Sequence, residues 1–542
     1  MTRSLRPAVF AALGILATFW VQYLAVRPTN FGGWDEWLVI DLTWRGIVGL
    51  PYQNRPFSLA FTQPGALLLP GTLRGYWLAN ALYLSFTGAL LYRLVRRLAP
   101  GRPRLAFLAG VICVSWAPLD ETRLDTVLVA GYSGFTCATL FALVLFLESA
   151  HHRSRLGLGV ASAIGFLMIR GLEATAGLVL GAVLLPWLSP GLDRRTRVRW
   201  SAVWGVTTLA GALFAAVPLL PGRPGSYQVA ALGFDPDPWR VGSRLLRQLG
   251  FQLGPLALPS PSELLAPVAA AAGAAFVVAW VLVRRGEVEE PELSLAAALR
   301  MAGIGLGMAA LAHGVMVLSP RILTPARMQI LSAPGIALFL AAVVAGIADR
   351  LPRRGGAPAV ALLAGSLVAM GAGRTAALQR AWDAKSYWAA QDRSLFGLTR
   401  EAPQLEPHTF VLLLDEAGAW PAAFTFQHAV DYLYEGRARG SVWGAVPFLY
   451  PIQLEADGIR SIPYESIQGP WRVPASLYGW SELVIVRQVA SGEVAVLDEW
   501  PEALPPLPPS ARYAPRARIR SGDPRPAEHR LLVGPARPDA LR

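Results

Sequence analysis

Asp35, Glu36 and Asp41 fall within seven residues of one another, and Arg45 and Arg55 follow them. Trp34 and Trp37 bracket the first two acids, and Asn54-Arg55-Pro56 closes the same stretch. A carboxylate set among such residues can take a proton from a hydroxyl and act as a general base. A nearby guanidinium fork suits an anionic phosphate. If residues 34–47 form a helix on a membrane surface, Trp34, Trp37, Leu38 and Asp41 share one face by three-and-four spacing. The bland reading is that Asp35 and Glu36 only cap and solvate a turn.

Four other places hold candidate groups. Asp120 and Glu121 either cap the helix that follows, where acids are favoured, or form a second acidic patch facing the same pocket. Arg170 and Glu173 stand three apart inside an apolar stretch. They read either as an ion pair along one helical turn or as a pocket marker, since charge at such depth is expensive. Arg321 and Arg327 sit among prolines between two apolar helices, where they suit a lipid-linked phosphate. The segment 235–247 reads as a basic interfacial helix. His313, alone in an apolar helix, reads as a packed residue. No phosphate-cradling glycine loop, paired-cysteine spacing or HExxH pattern is present, so ATP hydrolysis and metalloprotease chemistry lack support. Nor does any serine elbow point to a hydrolase.

The elements that must position these groups are membrane spans. The chain is 54% hydrophobic and only 16% charged, with mean hydropathy +0.40, well short of the roughly quarter charged in a soluble domain. Its net charge of +13 would suit nucleic acid, but the arginines cluster in short segments between apolar runs. Runs of spanning length lie near 8–26, 74–94, 105–118, 127–148, 156–169, 173–188, 200–218, 263–283, 295–317, 328–348 and 357–373. The expectation is therefore a mainly α, polytopic membrane protein of about eleven transmembrane helices. The basic loops at 96–104, 151–155, 194–199, 284–285 and 349–354 alternate in phase with acidic ones. By the positive-inside rule they are cytosolic, as is the N-terminus, and the loop 27–73 faces outward. Residues 1–373 form the multi-pass domain, 374–500 a small extracytoplasmic α/β domain, and 501–542 a loose Pro/Arg-rich tail. Within 374–500, Thr409–Asp415, Leu483–Arg487 and Glu493–Leu497 read as strands and Gln427–Tyr434 as a helix. Cys113 and Cys137 lie inside apolar runs and read as packing residues.

One span, an outer loop opening on Trp34-Asp35-Glu36-Trp37 and reaching Asn54-Arg55-Pro56, many further spans and an outer domain together resemble the GT-C superfamily. These are integral membrane glycosyltransferases, among them protein mannosyltransferases and bacterial lipid A aminoarabinose transferases. The resemblance covers the membrane region, and Glu173 resembles a buried glutamate of the bacterial members. It implies transfer of a sugar from a polyprenyl-phosphate donor to a lipid, glycan or protein acceptor at the non-cytosolic face of a bacterial plasma membrane. It implies inversion, with Asp35 as the base, Glu36 as its partner, and Arg55, Arg321 or Arg327 on the leaving phosphate. The wider pocket would include Trp34, Trp37, Asp41, Asn54, Asp120, Glu121, Arg170 and Glu173. Membrane lipids are expected partners and nucleic acid is not; the acceptor stays open. A divalent metal is compatible with the resemblance, and no residue is assigned to hold one. The competing readings are a transporter or flippase of a lipid or glycan, which tends to show matching halves that are not seen here, and a non-catalytic membrane scaffold.

Overall fold

The computed structural model describes residues 2–26, 35–49, 55–116, 127–217, 235, 237–254, 266–285, 293–320, 329–351, 353–446, 450–461 and 475–522. In chain order its helices are α1 (Thr2–Val26), α2 (Asp35–Trp44), α3 (Gln63–Leu68), α4 (Leu73–Leu98), α5 (Pro103–Ser115), α6 (Leu128–His152) and α7 (Arg155–Gly171). They continue as α8 (Ala176–Gly181), α9 (Leu185–Leu188), α10 (Arg194–Ala216), α11 (Pro238–Leu253), α12 (Ala266–Arg285), α13 (Leu295–His313), α14 (Gln329–Ala348) and α15 (Arg353–Lys385). Two more, α16 (Trp388–Glu401) and α17 (Ala423–Leu433), belong to the C-terminal part.

Where they are described, the expected apolar runs fall mainly on helix, but only seven helical stretches among the described residues are long and apolar enough to cross a bilayer. These are Ala8–Ala25, Leu73–Leu98, Ala130–His152, Ala266–Val283, Leu295–His313, Gln329–Ala348 and Gly356–Trp382. Two apolar segments, Pro103–Ser115 and Glu173–Leu188, are shorter. Leu13, Val206, Leu299 and Leu362 stay open on the flanks of the bundle. Lipid, unlike water, leaves such side chains no reason to hide, and this is a membrane protein. Packing between helices relies on small residues, as expected where lipid removes the hydrophobic drive. Where α13 crosses α14, a Cβ on Gly305 would meet the Phe339 backbone nitrogen at 2.6 Å. One on Gly335 would meet the Ala309 nitrogen at 2.5 Å, so only glycine lets these backbones approach.

The two ends of the bundle differ. At one, here the base end, Glu148 takes Arg93 at 2.6 Å and also pairs with Arg97, and Arg153 reaches Asp193 at 2.8 Å. His151 shares a hydrogen bond with Ser189 at 2.8 Å, and Ser189 donates to the Arg97 carbonyl at 3.1 Å. At the other, the head end, Trp116 donates to the Gln252 carbonyl at 2.9 Å and Arg244 to that of Val317 at 3.0 Å. Loops of equal phase in the sequence thus share an end.

The head end carries the C-terminal part. A four-stranded sheet runs β3-β2-β7-β8, with β2 (Thr409–Asp415) parallel to both β3 (Ala438–Val442) and β7 (Leu483–Gln488). β8 (Val494–Val496) returns antiparallel through a turn in which Gly492 takes φ 88°, a conformation that suits glycine. The unbroken apolar run Phe410–Leu414 of β2 suits its burial on both faces. Val411 and Leu413 pack with Phe426, Val430 and Leu433 of α17. Phe410, Leu412 and Leu414 pack with Ile459 and Tyr478 from a three-stranded meander of β4 (Ile452–Glu455), β5 (Gly458–Ser461) and β6 (Ser476–Gly479), and with Trp480 in the turn that follows it.

Two expectations change here. Residues 501–522 are not loose. Trp500 and Tyr513 meet edge to face at 5.6 Å, and the Tyr513 hydroxyl donates to the Leu497 carbonyl at 2.7 Å while accepting from the Ile485 N–H at 3.0 Å. Ile519–Arg520 then pairs with Gln404–Leu405. Aromatic anchors spaced along a proline-rich segment are enough to seat it. Residues 523–542 lie outside the described residues. In addition, the last span does not stop near residue 373; α15 continues to Lys385 as one helix.

Candidate functional site

The acidic helix α2 begins at Asp35, placing Asp35 and Glu36 in its first turn, where the helix dipole favours negative charge. The expected surface helix is instead enclosed. Glu36, Trp37, Leu38, Val39, Ile40, Asp41 and Thr43 are all buried, and Asp35 is half-buried. Burial follows from position: α2 is sandwiched between the head end and the C-terminal part. Toward the bundle, Thr43 and the Tyr76 hydroxyl of α4 share a hydrogen bond at 2.7 Å. Val39 and Ile40 join a cluster with Leu59, Tyr76 and Val127. Toward the C-terminal part, Trp37 packs against Trp388, Trp420 and Tyr432 with ring centroids 6.0–6.4 Å away. Its indole N–H donates to Gln391 Oε1 at 2.8 Å, and Gln391 in turn donates to the Ala419 carbonyl at 2.9 Å.

Asp41 anchors a second contact. Its Oδ2 lies 2.8 Å from His428 Nδ1 on α17, and its Oδ1 accepts from Arg45 Nε at 2.8 Å. Arg45 also reaches Asp431, one turn along α17 from His428, at 3.3 Å. Tyr450 stands on the far side of the imidazole, its hydroxyl 3.3 Å from Nε2. Burial, followed by the nearby Asp41 carboxylate, pushes the Asp431 carboxyl up to about 6. Burial likewise pushes the Tyr450 hydroxyl up. His428, Asp431 and Tyr450 were not singled out in the sequence. The usable signal was His428 and Asp431 three apart on an expected helix, which puts both on one face.

The third feature involves Arg170 and Glu173, read from the sequence either as an ion pair along one helical turn or as a pocket marker. Helix α7 ends at Gly171, Leu172 is extended (φ −150°, ψ 102°), and the chain restarts as a tight turn over Glu173–Thr175. Arg170 and Glu173 are therefore not on one continuous helix. Glu173 pairs with Arg55, 118 residues earlier in the chain: Arg55 Nε donates to Glu173 Oε2 at 2.7 Å and its Nη2 to Oε1. The loop that carries Arg55 is pinned to the bundle by Phe61, edge-on to Phe135 at 4.8 Å. Tyr83 secures it by donating to the Phe61 carbonyl at 3.1 Å. Phe57 lies over Gly171 at the break itself. Arg170 sits half-buried in the last turn of α7. Irregular backbone at membrane depth is tolerated where protein buries it or where it lines a cavity.

Trp34, Asn54, Asp120, Glu121, Arg321 and Arg327 lie outside the described residues. Among the described ones, the structure joins Arg55 to Glu173 and Asp41 to the C-terminal part, and it sets Asp35, Glu36, Trp37 and Asp41 on a single buried helix. His313 is buried at the end of α13, as a packed residue would be.

No family model and no curated protein matches the chain. Solved structures do. The apo oligosaccharyltransferase of Archaeoglobus fulgidus is similar at TM-score 0.41 and 15% identity over 82% of this chain. ArnT from Cupriavidus metallidurans, bound to undecaprenyl phosphate, is similar at TM-score 0.41 and 15% identity, over 80% of this chain and 85% of that one. The A. fulgidus enzyme AglB, in complex with an inhibitory peptide and a dolichol-phosphate, gives TM-score 0.38 and 13% identity over 82% of this chain. The chain spans 64% of the length of the archaeal structures.

Proposed function

We propose that this protein is a membrane glycosyltransferase that moves a sugar from a polyprenyl-phosphate donor to an acceptor hydroxyl or amide at the head end of the bundle. The observation that carries the reading is α2: a helix opening on two carboxylates, held by the ends of the spans on one side and by the C-terminal part on the other. A charged helix enclosed at the edge of a membrane domain is costly, and catalysis is a common reason for keeping one.

In this reading Asp35 is the general base. It is the half-buried acid of the first turn, whereas Glu36 is buried and Asp41 is engaged by His428 and Arg45. Asp35 takes the acceptor proton while the acceptor attacks the anomeric carbon opposite the departing phosphate, which inverts that centre. Arg55 holds Glu173 at the helix break. With Arg321 and Arg327 it supplies the positive charge that a leaving lipid phosphate needs. The arginine-rich loops at the base end favour a non-cytosolic head end, where nucleotide sugars are scarce, and this supports a lipid-linked donor. The acceptor is a lipid, glycan or protein.

The test is Asp35→Asn in purified membranes given radiolabelled polyprenyl-phosphate sugars. Transfer should fall by roughly a hundredfold or more, as for loss of a positioned base, while folding and donor binding persist. Unchanged transfer would remove Asp35 from the role.

A further inference from the structure

We propose that Asp41, His428 and Asp431 form a binding site for one zinc-class divalent cation, which ties α2 to the C-terminal part. One ligand atom from each residue lies within 4.8 Å of the other two, and all three residues are buried. The donor set, two carboxylate oxygens and one imidazole nitrogen, matches the N/O sites that zinc takes with three protein ligands. The site is separate from the transfer chemistry proposed for Asp35, and it stands or falls without it.

Two further features favour a ligand site over a plain ion-pair cluster. The first is the imidazole. Nδ1 faces Asp41 Oδ2 at 2.8 Å, while Nε2 is met by the Tyr450 hydroxyl at 3.3 Å. Metal-binding histidines commonly have their second nitrogen held this way, which fixes the ring and its tautomer. The second is the charge balance. The two buried carboxylates face Arg45, which reaches Asp41 at 2.8 Å and Asp431 at 3.3 Å from a side chain 41% exposed, with Arg439 also acting on Asp431 through its charge. A divalent ion would place two charges where Arg45 places one, and Arg45 can swing into solvent to admit it. Ligand atoms around zinc sit roughly 3.3 Å apart. The Asp41–His428 contact therefore needs to open by only about half an ångström. The ligands come from segments 387 residues apart, so metal binding would cross-link the loop after the first span to the C-terminal part.

The test uses the full-length, tag-free protein in detergent, stripped with a chelator and then titrated with zinc chloride. The expected result is about one zinc retained per chain, with a melting temperature that rises with zinc concentration, because a ligand binding only the native state stabilises it by mass action. Asp431→Asn, nearly isosteric, and His428→Ala should each weaken zinc binding by about tenfold or more and flatten that rise. Arg45→Gln should bind zinc at least as tightly as the parent, because it removes the competing cation. If His428→Ala fails to fold, Asp431→Asn and Arg45→Gln still decide. A parent that retains no zinc, zinc retained equally by Asp431→Asn, or weaker zinc binding in Arg45→Gln would overturn the site.

Discussion

Arg55 and Glu173 are each about a fifth exposed, which makes their pair the most revealing at the residue scale. Breaking a fully buried ion pair by removing one partner costs about 3–5 kcal/mol, because the other charge is stranded. Partial solvent access should reduce that to about 2 kcal/mol for Arg55→Gln or Glu173→Gln. The double variant should cost clearly less than the two single costs combined, since no charge is then stranded. Unfolding by SDS titration in mixed micelles measures all three, and strict additivity would show that the pair holds nothing. The same pair shows where sequence reading stops. Both residues were legible as misplaced charges, but their partnership was not, since spacing along a chain cannot show that a loop folds back over 118 residues. Glu173 was read either as the partner of the nearer Arg170 along one helical turn or as a pocket marker, and the structure pairs it with Arg55. His428 and Asp431 escaped for a similar reason: on α17 alone they look like ordinary polar positions, and only Asp41, brought in by the tertiary fold, gives them chemistry.

Helix α2 sets the element scale. Its ten residues are too few for a stable isolated helix, so packing must hold it. Trp37, with no exposed surface, is the central contact. Trp37→Ala should cost about 3–5 kcal/mol through the cavity it leaves. Trp37→Phe should keep most of the packing but leave Gln391 Oε1 without its indole donor, at about 1–3 kcal/mol. Limited proteolysis reads the consequence: the junction between α15 and α16, at 386–387, should become the first cut in Trp37→Ala and stay protected in Trp37→Phe. Equal protection in both would mean that α2 is held by other contacts. Elements with strong periodicity were legible. Thr409–Asp415 was expected as a buried strand and is one, with parallel neighbours on both sides. The meander of β4, β5 and β6 was not legible, because each strand has four residues and carries polar or glycine positions. A helix over 34–47 was expected on a membrane surface because tryptophan and acid there fit an interface. The C-terminal part that covers α2 could not be docked from sequence.

At the scale of the whole molecule, the distribution of charge decides orientation. Arg93, Arg97, Glu148, Arg153 and Asp193 meet at the base end, and the acidic helix α2 with the C-terminal part occupies the head end. The arginine-rich loops are those that resist translocation, so the base end should be cytosolic and the head end should face out. Two exposed positions separate the ends: Arg195 at the start of α10 and Asp457 in the turn between β4 and β5. Both native cysteines lie in helices of the bundle, so Cys113→Ala and Cys137→Ala give a silent background. On that background, Asp457→Cys should react with a membrane-impermeant maleimide on intact cells, and Arg195→Cys should react only after permeabilisation. The reverse pattern would place α2 in the cytosol, within reach of nucleotide sugars, and would remove the reason for a lipid-linked donor. Labelling of both positions on intact cells would mean that the two ends share a compartment, which opposite ends of a bundle crossing one bilayer cannot do.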